Sequence, residues 1–487
     1  MLKEECKRER RFHSGPPYAG ACLPTSGRGL RRVWVARYHP GTMTASRILL
    51  LALLSAVAYP QSPTAGEVDG VYRDAYALYR DLHQNPELSA HETQTAAKLA
   101  ARLRRLGYDV TEHIGGTGIV ALLKNGGGPT VMLRTELDAL PVEEKTGLPY
   151  ASKVRAKGDT GQDVPVMHAC GHDLHMASLL GTAEIMANTK NTWYGTLMLV
   201  GQPAEETHSG AEGMIRDGVF TRFPKPDVAV ALHVSNDFGP AGMVAITPGV
   251  YKANWDPVRI TIFGKGGHSA FPHRTIDPIV IAARTVLALQ TIVSREVKPG
   301  EIAIVTVGYI RAGTKDLSIP DEAEMGLTVR TFKQDVRKQV LAAVTRIANA
   351  EAAAAGAPRP PAVDHYGGTD LVYNDPALAE RLRKPLEAAL GKGNVVTGEP
   401  ITPSDDFSFF VEQGVPGFYF SLGGADPEKL AQAKASDTHL PSNHSPLFAP
   451  DVDPALHTGI IAEVAVLRDL LNTSPEEIHK LAATPQP

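Results

Sequence analysis

The chain has 487 residues, long enough for two or three compact modules, and its 43% hydrophobic and 21% charged residues are typical of soluble globular proteins. Its formal net charge of −4 argues against a nucleic-acid or anionic-membrane partner, which would favour a strongly basic surface. Its 45 glycines and 37 prolines imply many turns and little fibrous character.

The first 58 residues resemble an export signal preceded by an extension. Residues 1–42 are rich in Arg, Gly and Pro without periodicity, and are predicted to be non-native or disordered. Met43 then begins a short polar segment, followed by an apolar run that ends in a small-x-small pattern at Ala58. Residues 43–58 are therefore predicted to be a signal peptide, and the protein to be periplasmic or secreted. The alternatives are an uncleaved anchor or a mitochondrial-type presequence, with a cytoplasmic or organellar location as the runner-up.

The predicted cleavage divides the three cysteines of the chain. Cys6 and Cys22 would be lost, and the mature protein would keep Cys170 alone. A single cysteine cannot form an internal disulfide, so its thiol is predicted to be free or metal-bound.

From about residue 68 the sequence alternates amphipathic helices with short apolar strands. This alternation predicts an α/β sheet with helices on both faces. Functional groups in such folds gather beyond the carboxyl ends of the strands. The predicted helices are 72–84, 92–106 and 172–187, and the predicted strands are 118–123, 130–134, 196–201 and 229–233.

A second unit is predicted at 249–364, where the order becomes β-α-β-β-α, typical of a ferredoxin-like module. Its predicted strands are 258–263, 302–310 and 322–331, and its helices are 277–297 and 335–355. The α/β alternation then resumes with helix 376–390, strand 417–422 and helix 454–471, and the tail beyond Ser474 is predicted to be loose. The sequence thus predicts one catalytic domain, 68–248 with 365–473, interrupted by an inserted lid.

The segment from His168 to His175 concentrates side chains that bind metals. It reads HACGHDLH and holds three imidazoles, one thiol and one carboxylate. Imidazole and thiolate together suit zinc and similar borderline or soft divalent ions. The alternative interpretation is a surface loop that happens to be rich in histidine.

Four further segments place ligand-type side chains at predicted strand ends or in loops. Adjacent glutamates at a strand end point in different directions, so one can bind a metal while the other faces substrate as a general base. Each segment alone has an ordinary structural explanation, but the combination predicts a metal-dependent catalytic site. The residues are Glu136 and Asp138, Glu205 and Glu206, His233, and His444.

Together these segments resemble the metal-dependent amidohydrolases that include hippurate hydrolase, N-acyl-amino-acid amidohydrolase and auxin-conjugate hydrolase, relatives of aminoacylase and the glutamate carboxypeptidases. The resemblance covers about residues 70–470. It implies a two-metal, aminopeptidase-like catalytic domain, whose central mixed sheet has helices on both faces, with an inserted ferredoxin-like α+β lid and dimerisation domain. The motifs are RTELDALP, MHACGHDLH, GQPAEE, ALHV, GKGGHSAFPH, IPD and NHSPLF.

The resemblance implies hydrolysis of an amide bond in N-acyl amino acids or amino-acid conjugates, by water activated at a dinuclear site. Glu205 would be the general base, and Cys170 would bridge the two ions, a role that aspartate takes in the carboxypeptidase relatives. The cofactors would be two divalent ions per subunit, of zinc, manganese, cobalt or nickel. The other metal ligands implied are His172, Glu206, His233 and His444.

Further roles follow from the same resemblance. Asp138 would fix a ligand imidazole, and Asp173 is a second candidate for that task. His268 would stabilise the tetrahedral oxyanion, with the option of reaching across a dimer. The candidate substrate-binding residues are Arg330, as a bidentate partner of the substrate carboxylate, and Asn254 with Trp255, for which ordinary packing is the alternative.

Two positions depart from the family pattern. Glu136 stands where this branch usually has aspartate, and Leu317 stands where relatives usually carry an asparagine that reaches towards substrate. The second departure predicts altered substrate recognition rather than lost metal chemistry.

The expected partner is a small N-acyl amino acid or peptide substrate. The chain is also expected to form a homodimer through the lid, although the long lid helix could instead pack only on its own sheet. No nucleic acid and no stable membrane span after signal cleavage are expected. A metallo-carboxypeptidase or dipeptidase acting on short peptides is the alternative function. A non-catalytic binding protein would require a broken set of ligands or base, and none is broken here.

Overall fold

The computed structural model describes residues 62–158 and 160–482. The predicted extension and signal peptide lie outside the described residues. The α-helices are α1 Ala65–Gln84, α2 Thr93–Arg105, α3 His172–Asn188, α4 Gly210–Arg216, α5 Val219–Arg222, α6 Pro278–Thr291, α7 Gln334–Ala354, α8 Pro376–Leu390, α9 Ser408–Glu412, α10 Pro427–Ala435, α11 Val452–Leu471 and α12 Pro475–Leu481. The β-strands are β1 Asp109–Ile114, β2 Gly118–Asn125, β3 Thr130–Glu136, β4 Arg155–Lys157, β5 Asp163–Pro165, β6 Gly195–Gln202, β7 Val228–Pro240, β8 Val244–Ile246, β9 Gly249–Lys252, β10 Asp256–Phe263, β11 Gly267–His268, β12 Ala303–Ala312, β13 Ser318–Ile319, β14 Glu322–Thr331, β15 Ala362–His365, β16 Val372–Asn374, β17 Val395–Thr397 and β18 Gly417–Ala425.

A mixed sheet of eight strands forms the centre of the larger part of the fold. Its order is β1-β2-β6-β3-β7-β18-β8-β17. The four strands in its middle, β6, β3, β7 and β18, are parallel neighbours. Their carboxyl ends therefore lie at one edge, where an α/β sheet gathers functional side chains.

Apolar side chains cover both faces of this sheet. One core joins the sheet to α1, α2, α3, α8 and α11, and a second core on the other face joins it to α4, α5 and α9. Helix α3 packs against both α1 and α11, so 14 of its 17 residues are buried and its apolar side chains are not confined to one stripe. The prediction of an α/β sheet with helices on both faces is confirmed.

The smaller sheet is antiparallel and has the order β12-β14-β10-β15. Helices α6 and α7 pack side by side on it, around a separate apolar core. The resulting order β-α-β-β-α-β is ferredoxin-like, and β15 completes it by pairing with β10. Strand β15 was not predicted, because it is four residues long and follows a proline-rich segment. The predicted limits of the lid, 249–364, stay a prediction.

Asp277 caps the start of helix α6, because its carboxylate accepts from the Ile279 N–H, and a π-helical turn, Ile292–Glu296, prolongs the helix. Among the described residues, one helix has the length and apolar composition needed to cross a membrane, namely the combined helix 278–296. The core of the smaller sheet contains Ile281, Ala282 and Leu289 from its inner side.

Two expectations are wrong in detail. Strand β7 continues to Pro240 instead of ending at His233, because β18 still pairs with it after β3 has ended. The tail beyond Ser474 is not loose within the described residues: the Ser474 side chain accepts from the Glu477 N–H and caps α12. Ile478 is fully buried, so this short helix is anchored to the core.

Glu463 is a buried carboxyl group on α11. The hydroxyls of Ser178 and Thr182 on α3 donate to its Oε2 at 2.9 and 2.7 Å. Burial raises the pKa of Glu463 to about 8, although both hydrogen bonds lower it. In the unfolded chain the Glu463 carboxyl has an ordinary pKa. Its contribution to stability is therefore complete below that ordinary pKa and is lost as the pH rises towards 8.

The substitution Glu463→Gln keeps an acceptor oxygen for both hydroxyls and removes the ionisation. We expect the free energy of unfolding of the variant, relative to wild type, to rise by roughly 1 kcal/mol per pH unit between about pH 5 and pH 8, and then to level off. Urea unfolding at a series of pH values measures this difference. A difference that does not change with pH would contradict the buried, neutral carboxyl group.

Candidate metal centre and active site

Three parallel strands and one helix bring the candidate residues to the same edge of the large sheet. Asp138 lies two residues beyond β3, and Glu205 and Glu206 follow β6 after a turn at Pro203. His233 lies on β7, just beyond the residues that pair with β3. Cys170 and His172 flank Gly171, the residue that caps the start of α3.

Gly171 explains the tight spacing of Cys170 and His172. Its φ of +87° lies in the left-handed region, which side-chain-bearing residues rarely adopt. A Cβ atom at this position would also lie 2.5 Å from Cγ1 of Val234. Only glycine therefore lets the start of α3 approach β7 closely enough to place Cys170 beside His233.

Hydrogen bonds fix which nitrogen carries a proton in two of the three candidate ligand imidazoles, those of His172 and His233. Nδ1 of His172 donates to the carbonyl of Asp138 at 2.9 Å, and Nδ1 of His233 donates to the carbonyl of Val234 at 2.9 Å. A carbonyl can only accept, so in the neutral rings both Nε2 atoms carry a lone pair. Nε2 of His172 is buried without a hydrogen-bond partner, and Nε2 of His233 lies 3.4 Å from Sγ of Cys170. This is the arrangement of metal-binding histidines.

Two groups of potential ligands share the thiol of Cys170. In each group the ligand atoms all lie within 4.8 Å of one another. The buried Oε1 of Glu206 lacks a hydrogen-bond partner, as does Nε2 of His172. Sulfur, nitrogen and carboxylate donors fit zinc-like divalent ions, and the shared thiol fits a bridge between two of them. The groups are Cys170, His172 and His233, and Cys170, Glu206 and His444.

The surroundings shift the pKa values of Glu205, His233 and His444. Burial, with Asp405 and Glu206 nearby, raises the pKa of Glu205 well above its usual range. Burial, with the charge of Lys252, holds the pKa of His233 well below its usual range, which favours the neutral imidazole that binds metals. Hydrogen bonds to Cys170 and Glu206 raise the pKa of His444 to about 10.

Supporting carboxylates lie behind the ligands. Oδ1 of Asp138 is 3.3 Å from Nδ1 of His172, and its Oδ2 accepts from the Glu206 N–H at 2.9 Å. Asp138 thus contacts two candidate ligands at once. The expectation for Asp173 is not met, because its Oδ2 lies 2.7 Å from Nδ1 of His83 rather than beside a ligand imidazole.

Glu136 takes part in this support through His175. The Val234 N–H donates to Nε2 of His175 at 2.9 Å, so Nδ1 carries the proton and donates it to Oε2 of Glu136 at 2.9 Å. The Glu136 side chain therefore reaches His175, whose ring centroid lies 4.9 Å from that of His233.

A buried ion network beneath the site was missed by sequence reasoning. Arg134 contacts Glu136, Asp405 and Asp406, and the last two lie 3.1 and 3.3 Å from its Nη2. Nζ of Lys252 donates to Oδ2 of Asp405 at 2.7 Å. Asp405-Asp406 is an adjacent acidic pair like Glu205-Glu206. This similarity was the feature of the sequence from which the network could have been found.

A cavity of about 620 Å³ opens onto these residues. Its wall includes four of the five candidate ligands, namely Cys170, Glu206, His233 and His444, together with Glu205, Lys252 and Arg330. His268 and Asn254 are not part of the wall. His268 is exposed on the two-stranded sheet of β11 and β13, and the amide of Asn254 is occupied by Asp256 and Thr331.

The fold and the site together define a metal-dependent hydrolase. Residues 132–443 match the model of peptidase family M20/M25/M40. The chain belongs to this family, and the predictions of family, fold class and hydrolase class are confirmed.

The chain is similar to named proteins over most of its length. It is 36% identical to thermostable carboxypeptidase 2 of Saccharolobus solfataricus over 391 residues, covering 79% of this chain and 92% of the relative. It is 38% identical to N-acetyl-L-cysteine deacetylase of Bacillus subtilis over 351 residues, covering 71% and 79%. A solved Bacillus subtilis structure, described as a dinuclear metal binding peptidase from the M20 family, is 30% identical, with a TM-score of 0.67 and coverage of 83% and 100%.

Removing the shared thiol tests its place in both ligand groups. We expect Cys170→Ala to retain less than one tenth of the metal of wild type after dialysis, because two ions would lose a ligand together. Metal content per chain, measured by mass spectrometry of the purified protein, reports the loss. Ser235→Ala, in the same cavity wall but outside both ligand groups, is the matched control and should keep its metal. Full metal content in Cys170→Ala would contradict the bridge.

Proposed function

We propose that this protein hydrolyses the amide bond of N-acyl amino acids at a dinuclear site, with Glu205 as the general base. The observation that carries the proposal is the thiol of Cys170, which belongs to both groups of three ligands. Cys170, His172 and His233 would hold one ion, and Cys170, Glu206 and His444 the other. Zinc, manganese, cobalt and nickel all suit these donors, and activity restored by each metal after chelation identifies the native one.

The residues divide the reaction between them. Two divalent ions held by these ligands supply the Lewis acidity that brings the pKa of water towards neutrality. Glu205 lies beside the ligand Glu206 in the cavity wall, and its environment favours proton uptake. Glu205 accepts the proton of the attacking water and then donates it to the leaving amine.

His268 completes the oxyanion site from a second copy of the chain. It is exposed and lies outside the cavity wall of its own chain, which supports delivery into the cavity of a partner. Its ring would donate a hydrogen bond to the oxygen that gains negative charge.

The cavity wall supports an acyl amino acid as substrate. Arg330 has no carboxylate partner among the described residues, and a guanidinium binds a substrate carboxylate by two parallel hydrogen bonds. Phe238, Ile401 and Pro403 give the wall an apolar part for the acyl group. The name of the deacetylase relative supports an N-acyl amino acid, and that of the carboxypeptidase relative supports short peptides as the alternative.

Neighbouring glutamates allow a matched pair of variants. We expect Glu205→Gln to lower kcat on a hippurate-type substrate by about 10²–10⁴-fold with its metal still bound, since it removes the proton acceptor. Glu206→Gln should instead lose metal. Assays with N-acyl amino acids and unblocked dipeptides, run beside metal analysis, measure both effects and show which substrate class is preferred. Near-normal turnover by Glu205→Gln would refute its assignment, and turnover of dipeptides alone would favour the alternative.

An exposed apolar face on α6 and beside β12 supports a homodimer. Leu287, Val280 and Ile302 are 73%, 56% and 52% exposed, and β12 is an edge strand of the sheet. A long, apolar strand edge readily pairs with another chain. A second copy would cover α6 and β12 while carrying His268 towards the neighbouring cavity.

The substitution Leu287→Glu would place a charge at the most exposed apolar side chain of this face. We expect a dimeric wild type and a variant that is largely monomeric, because burying an unpaired carboxylate opposes association. Light scattering after size-exclusion chromatography gives both masses. A monomeric wild type, or a variant that remains fully dimeric, would speak against this face as the interface.

Export of the mature chain is proposed from the segment 43–58 alone. N-terminal sequencing of the protein from its natural host would place the mature start immediately after Ala58. No stable membrane span is proposed beyond that point, because the inner side of α6 belongs to the core of the smaller sheet.

A further inference from the structure

The guanidinium of Arg330 is held on one side only. Its Nη1 donates to the carbonyl of Thr402 at 3.1 Å and to Oγ of Ser404 at 3.0 Å. Within the described residues, its Nε and Nη2 have no hydrogen-bond acceptor, so this edge remains for a ligand in the cavity. The direction of that edge therefore depends on Thr402 and Ser404.

Ser404 is in turn connected to His208. The Ser404 hydroxyl accepts from Arg330, because a guanidinium can only donate, and its own proton can be donated to Nε2 of His208 at 3.0 Å. Ser404 is 9% exposed, so water contributes little to fixing this hydroxyl. The contact with the His208 ring sets its orientation.

His208 is itself fixed by two contacts. Its ring stacks on Trp255 with a centroid distance of 4.7 Å and an angle of 28°. Its backbone has a φ of +52°, and its N–H donates to the carbonyl of Glu205 at 2.7 Å. A non-glycine residue in this left-handed region is strained, and its surroundings must hold it there.

The four residues come from both parts of the fold, with one part at the two ends of the chain of contacts and the other part in its middle. Trp255 and Arg330 belong to the segment that forms the smaller sheet, whereas His208 and Ser404 follow the larger sheet and line the cavity. The chain Trp255–His208–Ser404–Arg330 therefore joins the two parts across the cavity and ends on the group that would meet the substrate carboxylate.

We infer that His208 and Ser404 are positioning residues that aim Arg330 at the carboxylate of the substrate, and that Trp255 holds His208 in place for this purpose. The inference rests on the proposed function, because it takes Arg330 as the partner of that carboxylate. The protein is then specific for acyl amino acids with a free carboxylate, and the contact between its two parts determines that specificity.

A pair of substrates separates positioning from general support. The first is an N-acetyl amino acid, and the second is the same compound with its carboxylate converted to an amide. We expect Arg330→Met to lower kcat/KM for the acid by about 10²-fold, mainly through KM, and to change the amide little. Ser404→Ala and His208→Gln should each cost about tenfold on the acid alone, and Ser404→Thr should restore the wild-type value.

A double-mutant cycle then shows whether Ser404 acts through Arg330. We expect Ser404→Ala to cause no further loss of kcat/KM in the Arg330→Met variant, because its effect passes through the guanidinium. An additive loss, or an equal loss on acid and amide, would overturn the inference. Metal content is measured in each variant, and loss of metal on Ser404→Ala would equally overturn it.

Binding without turnover distinguishes this inference from the proposed function. The Glu205→Gln protein is titrated with the acid and with the amide, and the fluorescence of Trp255, stacked on His208, reports binding. We expect the acid to bind at least tenfold more tightly, and Ser404→Ala to remove that preference. Failure of wild type to hydrolyse any acyl amino acid would contradict the proposed function, whereas equal binding of acid and amide would contradict the positioning of Arg330.

Discussion

Two hydrogen bonds from imidazole Nδ1 atoms to main-chain carbonyls underlie the arrangement of the site. They belong to His172 and His233, and they leave each neutral ring with its Nε2 lone pair available. The acceptors lie beyond β3 and on β7, two strands paired in parallel in the centre of the sheet. Both ligand rings are therefore held in fixed orientations by the sheet. Gly171 lets the start of α3 approach β7 closely, which places Cys170 beside these rings.

A second constraint is the buried charge beneath these ligands. Arg134 and Lys252 face Glu136, Asp405 and Asp406, and all five side chains are nearly or fully buried. Taking such charges out of water is costly, and a buried pair that loses one partner is strongly destabilising. The network joins β3, the end of β9 and the loop before α9, so it connects the entry to the smaller sheet with the floor of the cavity.

The sequence predicted those features that depend on local pattern. Strand β14 and helix α8 have the bounds predicted from the sequence, and Cys170, Glu206, His233 and His444 meet in one cavity wall as the motifs implied. Strand β7 is longer than predicted because it also pairs with β18, which is distant in sequence.

Features that depend on distant contacts escaped sequence reasoning. Lys252 carries no signal of burial in its own neighbourhood, and its position follows from Asp405, 153 residues away. His208 had no evident partner in sequence, because both Trp255 and Ser404 come from other segments. The roles given to His268 and Asn254 rested on resemblance alone, and the geometry of a single chain places neither in the cavity wall.

The account depends most directly on Cys170 as a ligand common to two ions. A crystal structure of the metal-loaded protein, with anomalous scattering recorded at the absorption edge of the bound metal, tests this point. The account predicts two anomalous peaks per chain, both bonded to the sulfur of Cys170, one also bonded to His172 and His233 and the other to Glu206 and His444. A single peak, or two peaks of which only one is bonded to that sulfur, would contradict it.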